Sequence, residues 1–519
     1  MTFLSSAQMR EWDRLAIAAG TPGGALMAHA GAAVAAAAGR LAACRGTDRV
    51  VLAAGRGNNG GDAFVAARCL HAAGLRVEAR LTAPPDALRG DARAAWERLR
   101  DAGVPQRVLA DEASWTAPAD ALLPCGGVVV DGLLGTGSEG APRGATAAAV
   151  RWIAAMRRTC GVVAVDLPSG LDADTGVPAD PAVAADVTVT FGAPKAGFAN
   201  PAAWPCLGHV EVADIGLPAA ARPAGASPQR FIGAPEIGGL LPRRPAAGHK
   251  GDFGHVLAVA GAAGFTGAPA LVALGALRAG AGLVTVAAPA DCLPAVACHA
   301  PGAMMRVVAT EGGGMTPAAL AAGVRDPASF DVVVAGPGLA AGQGTQAIVS
   351  GLAAGRAPRL VLDADALNAF AGRPEALRRP AGELAITPHP GEAARLLGVA
   401  PAVVQADRIW AVRELARRTG AVAVLKGAGT LVAAPGGEPW LNLTGNAGMA
   451  TGGSGDVLAG AVAALWAQGL TALDAARLAV WLHGTAGDVA QWGNGGMAVA
   501  PEKLARAMDA AWRWLQAFA

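Results

Sequence analysis

The chain reads as α/β, with two three-layer α/β/α domains, each a mainly parallel sheet covered by helices on both faces. Three observations lead there. Short Val/Ala/Leu runs alternate with Gly-rich loops and longer Ala-rich stretches along all 519 residues, the pattern of parallel strands joined by helical crossovers. The apolar runs are continuous rather than alternating, which suits strands buried on both faces. A shift in composition at 218–228, rich in Pro, Ala and Gly, followed by Pro242-Arg243-Arg244-Pro245, marks a linker. The expected division is therefore 1–217, a linker at 218–230, and 231–519, each part of a size that suits one α/β domain.

Strands are expected at 50–54, 128–131 and 162–166 in the first domain, and at 256–260, 332–335, 360–363 and 422–426 in the second. Against 42 basic residues stand 40 acidic ones, for a net charge of +2. That balance gives no electrostatic footprint for nucleic acid or an anionic membrane, and neither partner is expected. A hydrophobic share of 53% with 16% charged residues excludes disorder. The first 14 residues carry charges and no apolar run, so no signal peptide is expected. The uncharged stretch 256–277 is long enough to span a bilayer, but Gly261, Gly264, Gly267, Pro269 and Gly275 interrupt it, and it reads as strand, loop and helix. Seven scattered cysteines lack C-x-x-C or zinc spacing, as expected of free thiols in a reducing cytoplasm. With 38 Arg, 4 Lys and no Tyr, the composition has drifted toward Arg, so each remaining Lys is informative.

Directly after the run at 50–54 comes Gly55-Arg56-Gly57-Asn58-Asn59-Gly60-Gly61-Asp62, with a helix expected over 63–71. A glycine-rich strand-to-helix turn lets backbone N–H groups approach a phosphate at the helix start. Asp62 would repel phosphate there, so it has another duty: ribose hydroxyls, a cation, or simply the helix N-cap. Two further acid-bearing loops follow strands, opening at Asp131 (Asp131-Gly132-Leu133-Leu134-Gly135-Thr136-Gly137) and at Asp166 (Asp166-Leu167-Pro168-Ser169-Gly170). In a parallel sheet all three loops share the carboxyl edge, where open α/β sheets bind ligands.

With Met9-Arg10-Glu11-Trp12-Asp13-Arg14 and the loops just quoted, this half resembles the NAD(P)H-hydrate epimerase domain, which implies a Rossmann-like fold. The resemblance implies that Asn58, Asn59, Gly60, Gly61 and Asp62 hold a hydrated dinucleotide. Gly135, Thr136, Gly137, Ser138, Glu139, Gly140 and Ala141 would hold it too, with Asp166. It also implies potassium at Asn59, Asp131 and Ser169, oxygen donors that suit a hard, weakly held cation. Asp131 or Asp166 is the expected proton-handling group. Ala63-Phe64 and His29-Ala30 depart from the family pattern without touching these ligands.

In the second half, Gly261–Ala268 is again a Gly loop between strand and helix, without the G-x-x-x-x-G-K-[ST] pattern of a P-loop. Later loops open at Gly336-Pro337-Gly338, Asp363, Thr387-Pro388-His389-Pro390-Gly391-Glu392 and Lys426-Gly427-Ala428-Gly429-Thr430. His389 sits between two prolines, which fixes an exposed backbone. Lys426 survives the drift toward Arg, as a compact ammonium for a phosphate pocket would, or by chance at a strand end. The sharpest motif is Thr451-Gly452-Gly453-Ser454-Gly455-Asp456, before an apolar helix expected from Val457. Clustered N–H donors at a helix start form an anion hole for a transferring phosphoryl group. Asp456, just past it, is placed to take a proton from an attacking hydroxyl.

This layout resembles the ribokinase-like superfamily and, within it, the ADP-dependent NAD(P)H-hydrate dehydratases. The resemblance implies hydrate contacts at Ala268, Gly338, His389 and Asp456. It implies nucleotide contacts at Lys426, Gly427, Ala428, Gly429, Thr430 and Gly455, with magnesium and ADP, and a homo-oligomer. Asp456 is the expected catalytic base. Together the two resemblances imply a cytoplasmic chain that epimerises R and S hydrates of NADH and NADPH and dehydrates the S form. Two other readings stay open on the residues alone: a small-molecule kinase in the second half, and a nucleotide-binding module without turnover in the first.

Overall fold

The computed structural model describes all residues except 116–122, 124–125, 139, 226, 380–381, 494–497 and 519. Two compact units result: Met1–Ser227 with Trp492–Gly495, and Pro228–Gln491 with Gly496–Ala519. The chain passes between them at 227/228, within the proline-rich stretch 218–230.

In the first unit seven strands, β1 (Arg49–Ala54), β2 (Arg76–Leu81), β3 (Gln106–Val108), β4 (Val128–Gly132), β5 (Gly161–Val165), β6 (Val187–Phe191) and β7 (His209–Ala213), form one sheet in the order β3-β2-β1-β4-β5-β6-β7. Every pairing is parallel. β4 to β7 are buried at every residue, the mark of a sheet covered on both faces. Strand order reverses between β1 and β4, the doubly wound switch point where a crevice opens at the carboxyl edge. Around the sheet run α1 (Ser6–Ala18), α2 (Gly23–Cys44), α3 (Asn58–Ala72), α4 (Gly90–Asp101) and α5 (Gly144–Met156). α1 opens on a capping box: the Ser5 hydroxyl accepts from the Gln8 amide and the Gln8 side chain accepts from Ser5 N–H. α2 is long and apolar enough to cross a membrane by length and composition, yet 56% of that stretch is buried inside the protein, as in a core helix.

The second unit has a ten-stranded sheet: β8 (Arg230–Phe231), β9 (His255–Val259), β10 (Leu283–Ala288), β11 (Met304–Val307), then, beyond the small hairpin β12 (Thr310–Glu311) and β13 (Gly314–Met315), β14 (Val332–Ala335), β15 (Arg359–Leu362), β16 (Glu383–Ile386), β17 (Val422–Leu425), β18 (Thr430–Ala433) and β19 (Trp440–Asn442). The order is β11-β10-β9-β14-β15-β16-β17-β18-β19-β8. All pairs are parallel except β17 with β18 and β18 with β19. Its switch point lies between β9 and β14. The stretch 256–277 resolves into β9 and the helix α6 (Ala268–Arg278), as its glycines suggested. The other helices used below are α7 (Pro390–Leu397), α8 (Arg408–Thr419), α9 (Ser454–Ala467) and α10 (Ala472–Trp492).

α6 and α9 meet backbone to backbone. A Cβ on Gly275 would lie 2.2 Å from the Val457 carbonyl oxygen, and one on Gly460 would lie 2.1 Å from that of Val272. Small residues at both crossings therefore fix how the N-termini of the two helices are presented. Gly460→Ala puts a methyl into that backbone contact and should destabilise the second unit by about 1–3 kcal/mol. Scanning calorimetry should show a lowered midpoint for one transition only.

Candidate functional site

β1 ends at Ala54, and Gly55-Arg56-Gly57 turns the chain into α3. A Cβ on Gly55 would come within 2.0 Å of the Leu133 carbonyl oxygen, and one on Gly60 within 2.0 Å of that of Gly55. Only glycine allows this approach, and it draws the α3 start onto the loop after β4. α3 begins at Asn58 with Gly57 as N-cap, five residues before the expected start. The N-cap reading of Asp62 is therefore corrected: Asp62 is the fifth helical residue and is buried.

The three loops open onto one cavity of about 1110 Å³, whose wall includes Asn58, Asn59, Asp62, Asp166 and the loop residues Gly135, Thr136, Gly137, Ser138, Gly140 and Ala141. Gly60 and Gly61 pack behind it, against Gly55 and Met27. Glu139 lies outside the described residues. Arg10, Arg56 and Arg143 also line the cavity, cations suited to a pyrophosphate. α1 adds Asp13 to the same wall. Sequence reasoning missed these four side chains; the readable signal was Arg10 and Asp13 three apart, hence on one helical face.

Two carboxylate centres separate here. Asp166 adopts φ +64, a costly backbone for a non-glycine residue. Its Oδ1 meets Lys195 Nζ at 2.6 Å and accepts from Phe191 N–H at 3.1 Å and Thr190 Oγ1 at 3.3 Å. Lys195 is fully buried and also donates to Thr190 Oγ1 at 2.9 Å. Burial and then Asp166 push Asp13 up to about 6, against the pull of Lys195. Burial, Asp166 and Asp13 push Asp62 well above the usual carboxylate range. Asp62 and Asp13 thus both hold a proton more tightly than an ordinary carboxyl, beside an ion-paired Asp166. Asp131, by contrast, lies behind the wall. Its Oδ1 accepts from Ser169 Oγ at 2.6 Å, its Oδ2 from Ser169 N–H at 2.8 Å, and burial raises it to about 6. Asn59 Nδ2 donates to the Leu134 carbonyl at 2.8 Å and Leu134 N–H to Ser169 Oγ at 3.0 Å. Asn59, Asp131 and Ser169 therefore gather on the 133–134 turn.

In the second unit, α9 starts at Ser454 rather than Val457, with Gly453 at φ +94 as N-cap. Asp456 is its third residue. A Cβ on Gly455 would lie 3.0 Å from Lys426 Nζ, so this turn rides directly over the lysine. Lys426 Nζ donates to Asp363 Oδ1 at 2.6 Å and stands 4.0 Å from Glu392 Oε2. Lys426, expected among the nucleotide contacts, has its charge already paired by Asp363. Burial opposes the ammonium, but Asp363 and Glu392 hold it charged with a raised pKa. Burial and then Asp363, opposed by Lys426, push Asp456 up to about 7.

His389 caps α7: its Nδ1 accepts from Gly391 N–H at 3.0 Å, so Nε2 carries the proton, 3.2 Å from Glu392 Oε1. Ala268 opens α6, and a Cβ on Gly338 would lie 2.9 Å from the Ala268 Cβ, so these two expected contacts adjoin. The loop 427–430 turns at Gly427 and Gly429, both with positive φ, and Thr430 Oγ1 donates to the Gly427 carbonyl at 2.9 Å. Two supports went unread in the sequence. His483 on α10, held neutral at about 4 by burial, lies 2.8 Å from the Ser454 carbonyl through Nε2. Asp488 accepts from Gly445 N–H and Asn446 Nδ2, each at 2.9 Å, anchoring the glycine loop.

Comparison with known proteins places both halves. The family described as NAD(P)H-hydrate dehydratase matches residues 256–509, and that described as YjeF-related protein N-terminus matches 23–197. The bifunctional NAD(P)H-hydrate repair enzyme of Moorella thermoacetica is 43% identical over 85% of this chain and 83% of its own. That of Escherichia coli is 37% identical over 85% and 81%. A solved ADP/ATP-dependent NAD(P)H-hydrate dehydratase from Bacillus subtilis, co-crystallised with ATP and Mg2+, is 28% identical; it covers 55% of this chain and 99% of that one, at a TM-score of 0.47. Two family matches and full-length relatives at this identity converge with the two sites above: the chain belongs to the family of bifunctional NAD(P)H-hydrate repair enzymes.

Proposed function

We propose that the first unit interconverts the R and S hydrates of NADH and NADPH, and that the second dehydrates the S form at the expense of ADP, releasing AMP and phosphate. The observation that carries this reading is the second site. A glycine-capped helix N-terminus sets Asp456, a base with a pKa of about 7, over a Lys426–Asp363 pair. Amides at the start of α9 stabilise charge on the β-phosphoryl group as it moves. Asp456 takes the proton from the hydrate hydroxyl, whose oxygen attacks that phosphorus while AMP leaves. Phosphate then departs with the carbon–oxygen bond, a ring proton is lost, and the double bond returns. Ala268, Gly338 and His389 line the hydrate side, and the 426–430 loop with Gly455 holds the nucleotide. Asp363 and Glu392 outnumber the single ammonium, so the donor set fits a magnesium ion that screens the phosphates.

In the first unit the cavity takes the hydrated dinucleotide, with Arg10, Arg56 and Arg143 toward its phosphates. Asp166 handles the proton, because it faces the cavity while Asp131 is turned onto Ser169. Asp131 is buried with neutral hydrogen-bond partners, and with Asn59 and Ser169 it makes an all-oxygen set that fits potassium.

A mixture of R and S NADH hydrates, given ADP, magnesium and potassium, should recover absorbance at 340 nm beyond the S fraction; recovery stopping at that fraction would remove the epimerase half of the reading. Unconsumed ADP with no recovery would remove both halves. Asp456→Asn should slow dehydration by roughly 10²–10⁴-fold while chromatography of the hydrates still shows epimer exchange. Asp166→Asn should do the reverse. Because Asp456 must be ionised to act, kcat/KM for dehydration should fall roughly tenfold per unit below a midpoint near pH 7. A profile flat down to pH 5 would contradict the raised carboxyl.

A further inference from the structure

With Lys426 committed to Asp363, a second positive charge stands against the 426–430 loop. Arg408, the first residue of α8, sends Nη2 to three carbonyl oxygens, of Leu425, Lys426 and Gly429, each at 3.2 Å. Nη1 donates to the Gln405 side-chain oxygen at 2.9 Å. A Cβ on Gly427 would stand 3.4 Å from the guanidinium. The Nε is buried without a hydrogen-bond partner among the described residues. No carboxylate among the described residues pairs with this side chain, although most other arginines with buried heads, such as Arg80 and Arg477, meet one. Burial alone draws the guanidinium down to about 10, still fully charged at neutral pH. A charge held only by neutral carbonyls in a half-buried site is costly, and its field extends into the loop it supports.

We infer that Arg408 is a positioning residue for the nucleotide: it braces the 426–430 loop through three carbonyls and supplies the uncompensated positive charge that favours a nucleoside diphosphate over the bare nucleoside. The inference rests on the proposed nucleotide role of that loop. It separates two contributions, geometry and charge, that a packing role alone would not separate.

The test is calorimetric binding of ADP and adenosine to the full chain, in low and high salt. Gln405→Glu places a carboxylate against Arg408 at an exposed position and leaves the brace intact. It should weaken ADP by up to about fivefold, the size of one exposed charge pair, leave adenosine within twofold, and lose its effect in high salt. Arg408→Gln should weaken ADP roughly tenfold or more and adenosine far less. Arg408→Lys, which keeps the charge but cannot fork across three carbonyls, should retain the preference for ADP while weakening both ligands. Equal losses for the two ligands, or no change with Gln405→Glu, would reduce Arg408 to a packing role and overturn the inference. Should Arg408→Gln fail to fold, Gln405→Glu alone decides. An unmodified chain that binds neither ligand would instead overturn the nucleotide reading itself.

Discussion

The second site is organised by one contact, the 2.6 Å pair between Lys426 at the end of β17 and Asp363 at the end of β15. An ammonium buried without a partner would shed its proton, and a buried carboxylate would keep one. Here Asp363 and Glu392 hold the Lys426 ammonium charged against its burial. Everything around the pair follows from that. A side chain at Gly455 would crowd Nζ, because the α9 start crosses over it. Asp456 is raised first by burial and then by repulsion from Asp363, which outweighs attraction to Lys426, so its carboxyl is pushed up to about 7. An aspartate in water would be a weak base at pH 7; this one is matched to a hydroxyl proton.

The first unit uses the same device. Lys195 is buried against Asp166 at 2.6 Å, again with a carboxylate at the end of one strand and a lysine on a loop following a nearby one. Two of the chain's four lysines are spent this way. At both positions a point-like ammonium meets its carboxylate, where a planar guanidinium would bring surplus donors. Where the chain does bury an arginine head beside a loop, at Arg408, backbone carbonyls rather than a carboxylate receive it, and the charge stays available.

Much of this was legible in the sequence, for reasons that differ by element. Continuous apolar runs gave the central strands, because a sheet covered on both faces leaves no polar side to alternate. The glycine clusters at 55–61 and 452–455 gave the two helix starts: Gly55 and Gly60 allow close backbone approach, and Gly453 takes a positive φ. The starts themselves were placed three to five residues late, since Asn58 and Ser454 lie inside helices whose first turns look like loop sequence. Long-range pairing was less readable. Nothing local says that Lys426 meets Asp363, 63 positions earlier, or that Lys195 meets Asp166. Asp131 looked equivalent to Asp166 because both end strands and open loops, but register turns one carboxylate onto Ser169 and the other into the cavity. Arg408 was invisible for a simpler reason: it is one arginine among 38.

These roles share a cause. His389 and Lys426 were read as ligand contacts and Asp62 as a ligand group or a cap, and each also serves the loop or helix that carries it. His389 spends Nδ1 on the start of α7, Lys426 spends its charge on Asp363, and Asp62 sits inside α3 rather than capping it. A loop at the carboxyl edge of a parallel sheet must satisfy its own backbone and bury its own charges before it can bind anything. That accounting leaves Asp166 ion-paired with Lys195 yet still on the cavity wall, beside Arg10, Arg56 and Arg143.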